Sequence, residues 1–340
     1  MCLVPFRPAS TTAPDELELS RVDTAELELQ LEQYRRELTG YCYRMLGSGS
    51  EAEDAVQETM VRAWRGLDRF EGRSALRSWL YRIATNVCLD MLRGPQRRAR
   101  PMDLGPASTA EATLDAGRGE HAWVRPVHDA RVLPPEGDPA ELAAARESIR
   151  LAFVAALQYL PPKQRSVLIL REVLRWQATE VAELLDTSVA SVNSALQRAR
   201  ATLAERDLDD EVSYVVDPEQ EVLLEAYVDA FERYDVPAIV ALLAEDAVQT
   251  MPPYELWLRG RDEIGKWFLG TGIGCRGARL VATNANGRPA FGSYRVAGPG
   301  RWAPFSIVIV DTVGDRITGF HNFLYPELFA EFGLPEELTD

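Results

Sequence analysis

Cysteine is scarce and scattered: Cys2, Cys42, Cys88 and Cys275 share no paired spacing. That excludes a zinc ribbon and a disulfide framework, and leaves reduced, mostly buried thiols in a cytoplasmic protein. Long apolar runs are missing as well. No stretch reaches the roughly 18 residues that a membrane helix needs, and no basic start leads into an apolar segment, so neither membrane spanning nor secretion is expected. Positive charge is in deficit, with 37 Lys and Arg against 52 Asp and Glu and a formal charge of -15. Taken whole, that balance argues against a partner made of phosphates.

The acid is unevenly spread. Residues 62–100 hold ten basic and three acidic side chains and residues 163–206 hold seven and five, whereas residues 207–340 hold ten and 23. Two basic stretches therefore lie among acidic ones, and the local field decides whether phosphate can approach.

A chain of 340 residues has room for two or three domains. Residues 1–24 read as a disordered acidic tail. Apolar spacing predicts helices at 27–47, 50–67 and 74–93, an all-α domain over 25–99 that closes at Gly94-Pro95. Residues 100–140, rich in Pro, Gly, Ala and Asp, read as a linker whose Trp123-Val124 and Pro126 form one apolar island able to dock on a neighbour. Helices at 141–159, 163–174, 178–185 and 188–205 make a second all-α domain over 141–206. Over 212–333 the pattern changes. Helices at 218–233, 236–245 and 260–269 precede strands at 280–283, 289–296, 306–313 and 316–324, with turn signals at Asn286-Gly287 and Gly314-Asp315. Helices followed by antiparallel strands predict an α+β domain with its helices on one face of a curved sheet.

The segment Thr179 to Leu203 has helix-turn-helix spacing. Val181, Leu184 and Leu185 share one stripe of a short helix, Glu180 sits where a capping box places a carboxylate, and Asp186-Thr187 is a turn. In the next helix Val189, Val192, Leu196, Ala199 and Leu203 face inward. With Thr187 or Ser188 as N-cap, Ser191, Asn193, Ser194, Gln197, Arg198 and Arg200 face out, which suits a helix that reads bases at its front and holds phosphates further along.

In the first domain, Val56, Met60, Ala63, Trp64 and Leu67 form an apolar stripe, flanked by an acidic and amide-bearing face with Asp54, Gln57 and Glu58. Arginines then alternate with Phe70, Trp79 and Tyr81. Guanidinium groups for phosphates beside flat side chains for unstacked bases are what a melted duplex requires.

Together, EDAVQETMVRAW at 53–64, FEGRSALRSWLYRIATN at 70–86 and LPPKQRSVLILREVLRW at 160–176 resemble the extracytoplasmic-function group of the sigma-70 family, RNA polymerase sigma factors. The resemblance implies a chain that binds core RNA polymerase and promoter DNA and performs no covalent chemistry, with no catalytic residue, metal or cofactor. It places Asp54, Gln57 and Glu58 against the polymerase. It places Arg73, Ser74, Leu76, Arg77, Trp79, Arg82, Asn86, Arg93, Arg97 and Arg98 on the minus 10 element, and Ser188, Ser191, Asn193, Ser194 and Arg198 on the minus 35 element. This chain departs from the pattern at Leu76, where an aromatic is frequent, at Asn193 and Ala195, where Lys and Arg are frequent, and at Gln177 in place of an N-cap serine. Fewer phosphate contacts imply weaker, less salt-dependent binding.

Residues 212–333 resemble the cone-shaped SnoaL-like, or polyketide-cyclase-like, fold through YVDAFERYD at 227–235 and LLAEDAVQTMPP at 242–253. Enzymes and binding modules share that architecture, so it assigns no chemistry. Trp257, Arg259, Tyr294, Asp311 and His321 are expected on the concave face as a candidate small-ligand pocket. In relatives with such a fusion the extra domain controls the sigma part. Its acidity suits contact with the basic 62–100 surface or with the linker. Two alternatives stay open: a DNA-binding regulator that never meets polymerase, and a fusion whose last domain is a small-molecule enzyme.

Overall fold

The structure, a computed structural model, describes residue 29 and residues 31–67, 75–93, 98–114, 116–205 and 218–340. The tail expected at 1–24 and the acidic end at 207–211 lie outside the described residues.

The first helical module packs α1 (Arg35–Leu46), α2 (Gly49–Gly66) and α3 (Leu76–Met91). Gly47, at φ 74°, ends α1 in the left-handed conformation that a side chain resists, and its N–H closes on the Tyr43 carbonyl. Ser48 caps α2, accepting from the Glu51 amide.

The helix expected at 141–159 is broken into α4 (Pro139–Glu147) and α5 (Leu151–Leu157). Arg44 of α1 explains the break. Its Nε donates to the Ser148 carbonyl at 3.1 Å, the acceptor that an unbroken helix would offer to its own backbone four residues on, and its Nη2 donates to Ser148 Oγ at 2.6 Å. Next come α6 (Pro162–Leu168), which runs into a π turn over Ile169–Val173, then α7 (Ala178–Leu184) and α8 (Val189–Ala204).

The last module holds α9 (Pro218–Glu232), α10 (Val236–Leu242), α11 (Arg261–Leu269), the short α12 (Leu328–Glu331) and a curved sheet. Its strands are β1 (Leu243–Thr250), β2 (Trp257–Arg259), β3 (Arg279–Ala285), β4 (Arg288–Gly298), β5 (Arg301–Val313), β6 (Arg316–Phe323) and β7 (Leu338–Thr339). The order is β2-β1-β6-β5-β4-β3, with β7 beside β5. Among the described strands β1 and β6 run parallel and the other pairs are antiparallel. The helix expected to continue to 245 stops at Leu242 and the chain enters β1 directly. Ala244, Glu245 and Asp246 are poor strand formers by composition, and pairing with β6 overrides that preference.

Apolar side chains gather in two cores. One lies inside the cone, between α9, α10, α11 and the concave face. The other runs without a break from both helical modules through Trp123, Val124 and Val127 of the linker to Ile307, Ile309 and Phe323 on the outer face of the sheet. The linker is thus part of the core, with Trp123 fully buried and the 98–100 segment bridged to it through Ala99.

The β3–β4 hairpin closes this second core. Asn286 and Gly287 take φ of 55° and 73° at the turn, as their residue types predict. Beyond turning the chain, the fully buried Asn286 side chain donates to Tyr43 Oη and to the Ile149 carbonyl, both at 2.6 Å, and accepts from the Val127 amide at 3.0 Å. One side chain thereby joins α1, the linker and the start of the second helical module.

Candidate nucleic-acid and polymerase interfaces

On α2, Ala52, Ala55, Val56, Thr59 and Ala63 are buried, and Asp54, Gln57 and Glu58 project into solvent. Trp64, expected in the buried stripe, is 57% exposed. Small residues one turn away make the contact with α1 instead, so the indole stands on the open side of the helix. The acidic face remains free to meet a basic partner, with Glu58 holding Arg62 at 2.7 Å.

On α8, Ser188 caps the helix by accepting from the Ser191 amide at 3.1 Å. Asp186, at φ 49°, makes the turn from α7, and Glu180 accepts from the Gln177 amide at 2.6 Å, so a capping-box bond forms without the usual serine. Val192, Leu196 and Ala199 are buried, while Val189, expected beside them, is 38% exposed. Ser188, Ser191, Asn193, Ser194 and Arg198 are all exposed on one helix, and Arg198 donates to Ser194 Oγ at 2.7 Å.

The residues expected on the minus 10 element are placed differently. Arg73, Ser74 and Arg97 lie outside the described residues. Asn86 and Arg93 are exposed, the latter paired with Asp90 at 2.9 Å. Leu76 and Trp79 are half-buried against the helical core. Arg77 donates to Glu37 at 2.6 Å and stacks on the rings of Tyr81 and Trp176, 5.5 and 5.2 Å from their centroids. Arg82 donates to the Glu183 carbonyl of α7 at 3.0 Å. The second helical module therefore covers part of α3. Arg98, expected on phosphate, is instead enclosed: it is 7% exposed, ion-paired with Glu51 and donating to the Trp123 carbonyl at 2.9 Å. A guanidinium enclosed by a carboxylate and carbonyls is already satisfied and presents nothing to DNA in this arrangement.

Buried arginines also join the two helical modules. Arg165 of α6 donates to the Met45 carbonyl of α1 and to Gln158 Oε1, the latter at 2.7 Å. Burial lowers the Arg44 and Arg165 guanidinium groups to about 10, still charged at neutral pH.

The five residues expected to line the cone do not share it. Side chains alternate across a strand, and His321 and Asp311 fall on the outer face. There His321 Nε2 meets Asp311 Oδ2 at 2.9 Å and Nδ1 meets Thr250 Oγ1 at 3.1 Å, in a cleft closed by Arg150 and Leu151 of the second helical module. Burial raises the Asp311 carboxyl, but the His321 hydrogen bond and the His321 and Arg288 charges outweigh it and bring it down to about 2. Tyr294 points to α12, stacking edge-on with Phe329 and donating to the Pro335 carbonyl at 2.8 Å. Trp257 donates to the Gly105 carbonyl of the linker at 3.0 Å, and Arg259 is exposed. The concave lining, which includes Gln249, Ser293, Arg295, Ser306 and Asn322, was missed. The alternation was legible; which phase faced inward was not.

Among the described residues the acidic module makes ion pairs with the linker, and Arg100, at the end of the basic stretch, lines a cleft with its Asp311 and His321. Arg125 pairs with Glu327 at 3.4 Å and lies over the Tyr325 ring, and Arg131 faces Glu331 at 3.9 Å.

Two all-α modules, one with an exposed helix-turn-helix, followed by an α+β cone, define a sigma-type assembly with an added domain. Known families match in the same order: sigma-70 region 2 over 31–98, sigma-70 region 4 over 150–203 and a SnoaL-like domain over 224–319. The chain is 43% identical over 311 residues to the ECF RNA polymerase sigma factor SigG of Mycobacterium tuberculosis, covering 90% of this chain and 83% of that one. Against the ECF sigma factor SigW of Bacillus subtilis the identity is 30% over 177 residues, 52% of this chain and 86% of the relative. The crystal structure of the Mycobacterium tuberculosis extracytoplasmic function sigma factor SigJ shares the fold, with a TM-score of 0.56 at 23% identity, over 92% of this chain and all of that one. The protein belongs to the extracytoplasmic-function sigma factors, in a form that carries a SnoaL-like domain. Among the described residues no helix is long and apolar enough to cross a membrane.

Proposed function

We propose that this chain binds core RNA polymerase through Asp54, Gln57 and Glu58, directs it to promoters through α8 and the arginine-bearing face of α3, and is regulated by its last domain in response to a small ligand. The observation that carries this reading is the contrast between the two DNA surfaces. The α8 face is open, whereas Arg77 and Arg82 are engaged by Trp176 and Glu183 of the second helical module. Contact of α3 with a melted strand then requires that module to move away, and the Asn286 hairpin opposes that movement by tying α1 to the Ile149 carbonyl.

The test is transcription in vitro from a cognate promoter with core polymerase and the full chain, unaltered or with Asn286→Ala. Promoter-dependent initiation that rises with Asn286→Ala is the expected result. No initiation by either chain would refute the sigma reading, and equal initiation by both would refute restraint by the last domain. Asp54→Lys with Gln57→Lys should abolish co-elution with core polymerase and leave the melting temperature unchanged, because both positions are exposed.

A further inference from the structure

The cone encloses a cavity of about 80 Å³. Tyr227, Phe231 and Phe268 form an aromatic helical side, and the opposing sheet offers Phe320 together with Gln249, Ser293, Ser306 and Asn322. A space that serves packing alone has no use for amides. Gln249 is only 4% exposed, its Oε1 has no hydrogen-bond partner among the described residues, and its Nε2 reaches only Met251 Sδ at 3.7 Å. A buried amide oxygen left unsatisfied is destabilising unless something else satisfies it. Arg295 borders the same space, its guanidinium 3.3 Å from the Phe305 ring centroid, with Nη2 donating to Cys275 Sγ and Nε unpartnered.

The cavity has a wall that does not belong to its own module. The linker crosses the cone as a strap: Ser108 N–H donates to the Trp257 carbonyl at 2.8 Å, Ala110 N–H to Glu263 at 3.0 Å and Arg118 N–H to the Pro253 carbonyl at 3.0 Å. Between the last two points Leu114, 38% exposed, borders the cavity. Pockets for small molecules usually measure about 300 Å³ or more. At about 80 Å³ the strapped cone is too small for such a molecule, and room has to come from displacing Leu114.

We propose that the cone binds a small, flat, largely apolar molecule that offers a hydrogen-bond donor to Gln249 and an anionic or carbonyl oxygen to Arg295, and that its entry lifts the strap at Ser108, Ala110 and Leu114. Because the strap connects the two helical modules, occupancy of the cone is transmitted to them through the linker. This transmission rests on the regulatory reading above; the binding itself does not.

Anilinonaphthalene sulfonate serves as the probe, having flat rings, one N–H and one anionic group. Titrated into the full chain, it should gain fluorescence saturably. Leu114→Ala should tighten its Kd by about fivefold, the effect of removing a half-exposed leucine from the entrance. Gln249→Leu and Arg295→Met should each weaken it by about fivefold or more. Trypsin cleavage after Arg118 should accelerate when the probe is bound. Leu114→Ala replaces a partly exposed side chain, so an unchanged melting curve verifies its fold. A Kd indifferent to all three substitutions would place the dye elsewhere and overturn the site. Binding that responds to them without faster cleavage at Arg118 would overturn the strap. None of these outcomes depends on polymerase, so a failed transcription assay would leave them standing.

Discussion

Replacing Asn286 with alanine removes three of the side-chain hydrogen bonds that fasten the β3–β4 hairpin to α1, the linker and the start of the second helical module, two at 2.6 Å and one at 3.0 Å. The losses differ. Tyr43 Oη still donates to the Arg125 carbonyl at 2.9 Å, so it keeps a partner. The Val127 amide and the Ile149 carbonyl lose theirs, and each orphaned buried group costs about 1–3 kcal/mol. Alanine at φ 55° adds about 1 kcal/mol of backbone strain. The sum, about 3–7 kcal/mol, falls on the contact between modules, because the concave core contains none of these groups. Differential scanning calorimetry of Asn286→Ala should therefore show the helical modules melting about 6 °C or more lower, at roughly 2–4 °C per kcal/mol, and separating from the transition of the cone. Small-angle scattering should show a larger radius of gyration. Asn286→Gly should relieve the strain and recover only its small share. A single transition within about 2 °C of the parent, with an unchanged radius, would refute the claim that this side chain holds the modules together.

Other predictions concern separate parts of the molecule. Burial raises the Asp129 carboxyl from 3.8 to about 6, offset in part by the Gly287 amide that donates to it at 2.8 Å. The folded chain then holds this proton more tightly than the unfolded one, so its contribution to stability declines as pH rises from about 4 through 6. Asp129→Asn keeps an acceptor for Gly287; its melting temperature should exceed the parent's at pH 7 and match it near pH 4, and a constant difference across that window would count against the assignment. Trp123→Ala empties a fully buried site and should cost about 3–5 kcal/mol in urea unfolding; a change below about 1 kcal/mol would mean that the linker is not part of the core. Arg198→Ala should weaken promoter binding by the polymerase complex evenly across sequences and reduce its salt slope by about one; an unchanged slope would remove Arg198 from the phosphate contacts.

Much of the fold was legible from local rules. The helix-turn-helix spacing and the Asn286-Gly287 turn depend on residues within a few positions of one another, and each occurs where its chemistry predicts. Errors arose where a distant group intervened. Arg44 splits one expected helix, pairing with β6 makes a strand of Leu243–Thr250, and helix α1 accepts small residues of α2 and leaves Trp64 outside. Among the site residues, the exposed positions of α2 and α8 follow from helical phase. The fate of the arginines on α3 does not, because a guanidinium serves a phosphate, a carboxylate or a carbonyl equally well and only the neighbours choose.

By itself, the sequence determined the family, the order of modules and the faces of the recognition helices, because those rest on residue type and on periods of two and 3.6 residues. Tertiary structure alone decided that the linker is core, that Arg98 is buried, that His321 and Asp311 face the helical modules, and that the cone is lined by Gln249 and Arg295 beneath a strap. The reason is common to all four. A period says that a side chain has a face, but which of two faces is dry, and whose surface dries it, is settled only when segments distant in the sequence meet.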